Sequence, residues 1–281
     1  MKQLKRTTTI LFAALSLLSL SAQEYPFEVS VTGEGNPILL FPGFTCTEEV
    51  WATTVAELSK NHECHTFTFA GFGNVPAIET PWFPQIKEGV ARYIEDNGLN
   101  GATAIGHSLG GTLALWLASE GHGNLKKLII VDGLPATGAL IIPNYNSEHM
   151  VYDNPYNQQL LQLSDADFSA MAKQFATGMT LNEAQRPKIQ EWIEKADRKT
   201  YVYGYTDLLK VDLRGDLANI GAEILVLGAA HPYGKEMATA TYTKQFEQAV
   251  AYDLRIAEGS AHFIMYDAPD WMLEQINGFL E

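Results

Sequence analysis

One serine stands where residue type and spacing could do chemistry. Ser108 stands in Gly106-His107-Ser108-Leu109-Gly110, a G-x-S-x-G spacing at the end of an apolar run. A serine hydroxyl is a weak nucleophile until a neighbouring base takes its proton, and an imidazole serves best when a carboxylate fixes its tautomer from behind. Glycines on either side of a serine let the chain turn sharply, so the hydroxyl can be held exposed in a strained conformation. A helix starting beneath it aims its first N–H groups at the same point and favours negative charge there. A serine so activated performs acyl transfer.

Those residues need a scaffold, and the hydrophobic pattern supplies one. YPFEVSVTG alternates like an edge strand, and PILLFPG reads as a more buried one. The segment TEEVWATTVAELSK is helical, the strand HTFTFAG follows, and the glycine-rich turn GFGNVP closes it. Next come the helix PQIKEGVARYIEDNG ending at Gly98, the strand GATAIG, the helix LGGTLALWLASEG and the strand KKLIIVDG. Alternation of this kind predicts a mostly parallel sheet covered on both faces.

From Pro135 to Leu217 the strand rhythm stops. Tyrosine- and asparagine-rich loops and two amphipathic stretches, DADFSAMAKQFA and RPKIQEWIEKADRKTYVYGYTDLL, fill the interval. The rhythm then resumes through AEILVLGAA, KEMATATYTKQFEQAV, AYDLRIAEG and APDWMLEQINGFL. We therefore expect a core over 23–134 and 218–281. The insertion at 135–217 is too long for a plain loop and is expected to form a helical lid over the C-terminal edge of the sheet.

With a strand before Ser108 and a helix after it, the stretch AIGHSLGG resembles the nucleophile turn of the α/β-hydrolase family. The resemblance implies an α/β fold with a doubly wound, mostly parallel sheet and an inserted lid. It makes Ser108 the nucleophile and His262, in the loop after the last strand, the general base. It assigns the oxyanion donors to the backbone N–H of Leu109 and to that of Phe44 in Phe41-Pro42-Gly43-Phe44. Proline stands there where the family commonly has histidine, but the donor is a backbone group, so the hole is expected to survive.

The acid departs from the family pattern. Its usual place, three residues after the glycine of the penultimate strand, is taken by His231 in Leu227-Gly228-Ala229-Ala230-His231. Histidine brings no negative charge to steady another imidazole. Asp132 ends the strand after the nucleophile helix, where some family members carry their acid, and the order Ser108, Asp132, His262 keeps the family sequence of roles. The competing reading has Asp132 merely capping its turn, with Glu236 and Asp153 as remaining carboxylates. His231 is then expected at the mouth of the site, and Trp82, Tyr152, Tyr156 and Tyr205 are expected to join Phe44 in a partly aromatic substrate pocket.

Composition limits the rest. With 281 residues, 46% apolar and 19% charged, the chain suits one large α/β domain. Lys2, Lys5 and Arg6 precede an apolar run from Ile10 to Leu20 and the small residues Ser21-Ala22. Residues 1–22 therefore read as a secretory signal, too short to span a bilayer, and the mature chain is expected in the periplasm or outside the cell. The formal net charge is −14, and loss of those three basic residues makes it more negative still. Such a surface repels nucleic acid and anionic lipid.

The helix between Cys46 and Cys64 sets them about 15–18 Å apart, so both are expected unpaired. His62 and His65 have an H-x-x-H spacing too weak to argue a metal, and Gly71-Phe72-Gly73 lacks the third glycine of a dinucleotide loop. No cofactor and no metal are expected. The expected activity is hydrolysis of a carboxylic ester, with a small-molecule ester or acyl compound as substrate. Thioesterase, lactonase, amidase, aminopeptidase and acyltransferase chemistry would use the same parts. Glu148, Asp153, Asp165 and Asp167 would serve an aminopeptidase. The histidine at 231 favours a different class, a non-catalytic binding protein on the same fold.

Overall fold

Along β2 (Asn36–Phe41), Ile38 and Leu40 face one apolar cluster while Leu39 and Phe41 face another, and none of the four is more than 1% exposed. A strand with no polar face is one covered on both sides. β5 (Lys127–Val131) repeats the alternation, with Leu128 and Ile130 on one side and Ile129 and Val131 on the other. So does β6 (Glu223–Ala229), with Ile224 and Val226 opposed to Leu225 and Leu227. The computed structural model describes residues 25–281, so the signal segment expected over 1–22 lies outside the described residues.

These strands join β1 (Phe27–Thr32), β3 (His62–Phe69), β4 (Thr103–His107) and β7 (Asp253–Ala257) in one sheet of order β1-β3-β2-β4-β5-β6-β7. Only β1, at the edge, runs antiparallel. Helices cover both faces. α2 (Trp82–Asp96), α3 (Leu109–Ser119) and α9 (Lys235–Gln245) lie on the face of Leu39 and Phe41. α1 (Ala52–Leu58) and α11 (Pro269–Leu280) lie on the other, with Trp51, Met272 and Ile276 buried against the strands.

Between β5 and β6 the chain is helical. It forms α4 (Thr137–Ile141), α5 (Pro155–Gln162), α6 (Asp165–Met179), α7 (Arg186–Lys195) and α8 (Tyr205–Lys210). The stretch that reads as one amphipathic run from Arg186 to Leu209 is broken after Lys195. Asp197 turns the chain by accepting Thr200 N and Thr200 Oγ1 at 2.8 and 2.9 Å, while its own N–H donates to Gly71 O at 2.8 Å. A π turn over Thr200–Gly204 then leads into α8.

Two buried-end contacts tie this insertion to the core. Asp207 of α8 accepts the N–H groups of Trp82 and Phe83 at 2.6 and 3.2 Å, so a carboxylate from the insertion caps the first turn of α2. Its second oxygen accepts Tyr152 Oη at 2.5 Å. Asp267, on α10 (Ile264–Asp267), accepts Thr180 Oγ1, Leu181 N and Asn182 N at 2.5, 3.0 and 3.0 Å. Cys46 and Cys64 are free and buried, and burial pushes the Cys64 thiol up to about 11. His65 is buried with Nδ1 on Tyr93 Oη and Nε2 on Glu63 Oε1, both at 2.8 Å, a structural arrangement inside the sheet. Among the described residues no helix is long and apolar enough to cross a membrane.

Because Asp207 satisfies two N–H groups that a helix start otherwise leaves open, Asp207→Ala should lower unfolding free energy by about 2 kcal/mol. The urea unfolding midpoint reads this directly. An unchanged midpoint would show that the cap contributes nothing to stability.

Candidate active site

The parallel strands all end on one edge of the sheet, the edge where open α/β sheets bind their ligands. Phe44 follows β2, Ser108 follows β4, Asp132 follows β5, His231 follows β6 and His262 follows β7. The fold thus delivers five residues distant in sequence to one side of the molecule.

Ser108 joins β4 to α3 directly and has φ 52° and ψ −119°, in the left-handed region that costs a non-glycine residue about 1–3 kcal/mol. The conformation is held from both sides. Ser108 N donates to Val131 O at 2.9 Å, and Ser108 O accepts Gly111 N at 2.9 Å. The flanking glycines are required by close backbone approach. A Cβ at Gly106 would lie 2.1 Å from Gly110 O, and one at Gly110 would lie 2.3 Å from Phe41 O.

His262 Nδ1 and Asp132 Oδ2 are 2.6 Å apart. The other carboxylate oxygen, Oδ1, accepts Ala229 N and Tyr242 Oη, each at 2.6 Å. Asp132 itself sits at φ 48°, and its N–H donates to Leu227 O at 2.8 Å. Burial pushes the Asp132 carboxyl up. The hydrogen bond and charge of His262, together with Tyr242 and Ala229, outweigh burial and hold it below its ordinary value. An ionised carboxylate can only accept, so the proton of the imidazole sits on Nδ1 and Nε2 is left as the basic nitrogen.

Ser108, Asp132 and His262 line one cavity of about 240 Å³. The loop before Phe44 packs onto the same turn, since a Cβ at Gly43 would lie 3.5 Å from Ser108 Cβ. Leu109 is the first residue of α3, where N–H groups have no partner within the helix.

Of the residues expected to shape the substrate pocket, only His231 is on this cavity wall, and it is exposed there. The other four lie elsewhere than this wall. Trp82 is 1% exposed, because its indole N–H finds its acceptor, Ala70 O, in the core at 2.8 Å. Tyr152 spends its hydroxyl on Asp207. Tyr205 packs on the Phe44 ring with centroids 5.5 Å apart, in a cluster that also holds Phe72, Trp82 and Tyr201. Tyr156, on α5, is 62% exposed. Glu236 and Asp153, the other carboxylates considered, are exposed and lie off the cavity wall.

Sequence reasoning missed three supports of this site. Tyr242 reaches Asp132 from α9, and Gly228 leaves room for it, since a Cβ there would fall 2.3 Å from the tyrosine ring. His107 is buried, with Nε2 donating to His262 O at 3.0 Å and its ring 4.6 Å from that of His262. Burial, then the His262 charge, push His107 down to about 3, so it stays neutral beside the site. Asp267 accepts Ala261 N at 2.8 Å and so steadies the loop that carries His262. The one available signal was Gly228 on a strand, which marks a place where something must come close.

Comparison with known proteins bears on family and fold. Residues 38–275 match the model of the alpha/beta hydrolase family. The chain is 31% identical over 126 residues to the (lyso)-N-acylphosphatidylethanolamine lipase of Homo sapiens, covering 41% of this chain and 36% of that protein. The alignment therefore spans little more than a third of that relative. It is 22% identical over 199 residues to the pimeloyl-[acyl-carrier protein] methyl ester esterase of Aliivibrio fischeri, covering 68% of this chain and 74% of that one. A crystal structure of a hydrolase from Pseudomonas aeruginosa superposes with TM-score 0.76 over 90% of this chain and 94% of that one, at 17% identity, a likeness of fold.

Tyr242→Phe keeps the ring and removes one donor from a charged acceptor. It should lower hydrolytic turnover about tenfold while leaving the fold intact. Turnover equal to the parent protein's would show that Ala229 N–H alone positions the carboxylate.

Proposed function

The chain belongs to the alpha/beta hydrolase family, and we propose that within it this protein is a serine hydrolase that cleaves a carboxylic ester through Ser108, His262 and Asp132. Ser108 Oγ attacks the ester carbonyl carbon while His262 Nε2 takes the hydroxyl proton. Asp132 holds the ring in the required tautomer and stabilises the imidazolium that forms. The N–H groups of Phe44 and Leu109 receive the charge that develops on the carbonyl oxygen. His262 then gives its proton to the departing alkoxide, leaving an acyl group on Ser108. A water molecule, deprotonated by the same imidazole, releases the acid and restores the serine.

The observation that supports this best is the Asp132–His262 hydrogen bond on the wall of the cavity that Ser108 shares. It also weakens the case for a non-catalytic binding protein, which rested on the histidine at 231, because Asp132 supplies the carboxylate that position lacks. Glu148, Asp153, Asp165 and Asp167 lie off the cavity wall, so the acidic groups an aminopeptidase would use are not at hand. Ester chemistry draws further support from the methyl ester esterase among the relatives. Export belongs to the same proposal, on the strength of the basic and then apolar segment at 1–22.

The test is steady-state hydrolysis of short p-nitrophenyl esters by the full chain and by two variants. Ser108→Ala should fall to the uncatalysed background. Asp132→Asn should lose about 10⁴-fold in kcat and stay folded. Full activity in Ser108→Ala would end the proposal, and near-normal turnover in Asp132→Asn would assign the acid to another residue.

A further inference from the structure

The wall of the Ser108 cavity has a composition that selects by charge. Leu134, Leu140, Met237 and Ala238 make much of it, with the neutral hydroxyls of Thr137 and Thr241. Among the described residues it contains no lysine, arginine or glutamate. Its one aspartate, Asp132, already has both oxygens engaged, by His262 on one side and by Tyr242 and Ala229 on the other. His231 stands exposed on the wall, where solvent screens whatever charge it carries.

The rim extends the same character outward. Leu140, Met237 and Tyr233 line the cavity and are also 53%, 59% and 80% exposed. Exposed apolar side chains scattered singly need no explanation, but these three converge on one opening. At about 240 Å³ the enclosed part is smaller than the roughly 300–1,000 Å³ usual for a drug-sized ligand. A substrate group therefore fills the interior and continues over apolar rim residues.

We infer that this cavity takes a neutral, apolar substrate group and rejects a group ending in a carboxylate, an inference that rests on the hydrolase reading above. A carboxylate entering it would lose its water and meet no lysine or arginine among the described residues of the wall. Burial of an unpaired charge is among the most unfavourable exchanges a site can impose. The net charge of −14 opposes the approach of the same substrates from a distance. An ammonium gains little, because Asp132 is already satisfied.

The experiment uses matched ester pairs on the full chain. One series varies the acyl end, p-nitrophenyl hexanoate against the p-nitrophenyl monoester of adipate. The other varies the alcohol end, butyl butyrate against the butyrate ester of a hydroxybutanoate. Assays in about 0.5 M salt suppress the long-range repulsion and leave the contribution of the wall. In the series whose varied group enters the cavity, kcat/KM for the neutral member should exceed that for the anionic one by about 100-fold or more.

Thr241→Lys, at a half-buried position of α9 on the wall, places a cation where solvent screens it less than at His231. It should raise kcat/KM for the anionic member about tenfold and lower that for the neutral one. Ser108-dependent hydrolysis with less than about threefold discrimination in both series would overturn the inference and leave the hydrolase reading standing. Discrimination that Thr241→Lys does not narrow would also overturn it, since the selection would then lie outside this wall. Absence of any Ser108-dependent hydrolysis would overturn both.

Discussion

The geometry of the site depends on a single carboxylate with no idle oxygen. Asp132 gives Oδ2 to His262 and Oδ1 to the N–H of Ala229 and the hydroxyl of Tyr242. Each bond comes from a different element: the loop after β7, the end of β6, and α9. A charge this enclosed is stable because both its oxygens are hydrogen-bonded, and a half-satisfied carboxylate would sooner take up a proton. The three elements are thereby fixed against one another at the point where β5 ends. The imidazole inherits that rigidity, with one nitrogen protonated and held and the other left basic.

The same logic governs the insertion between β5 and β6. Helices of this length gain little stability by themselves and depend on tertiary contacts. Here α6 and α7 bury Phe168, Ala172, Trp192 and Ile193 against the cluster on one face of the sheet. α8 buries Leu208 against the other. Asp207 and Asp267 then set the register, one by capping α2 and the other by gathering N–H groups from Leu181, Asn182 and Ala261. Through Asp267, the loop bearing His262 and the end of α6 share a single anchor. On the proposed mechanism, the position of the base is therefore sensitive to how the insertion packs.

Much of the sheet was legible in the sequence, because strands covered on both faces have few ways to hide their apolar runs. The turn at Ser108 was legible for a related reason: a serine between two glycines, at the junction of a strand and a helix, has few other physical explanations. Asp132 could be picked out because His231 stood where an acid was expected, and the structure brings its carboxylate to the imidazole. Tyr242 could not be read, since its partner lies 110 residues earlier and a tyrosine in a helix looks like any packed aromatic. The aromatic residues around Phe44 failed for the opposite reason. Pattern gives their apolar character but not their direction, and Trp82 turns inward to Ala70 where a pocket wall had been expected. The break after Lys195 depends on Asp197 finding Gly71, a contact that no local window contains.

The claim on which the functional account stands is that Ser108 Oγ becomes covalently bonded during the reaction. Mass spectrometry of the full chain after treatment with a fluorophosphonate, followed by peptide mapping, examines this without reference to any natural substrate. The account predicts a single adduct per chain, located on the peptide containing Gly106–Gly110 and assigned by fragmentation to Ser108. An adduct on another residue, or an unmodified and well-folded protein, would contradict it.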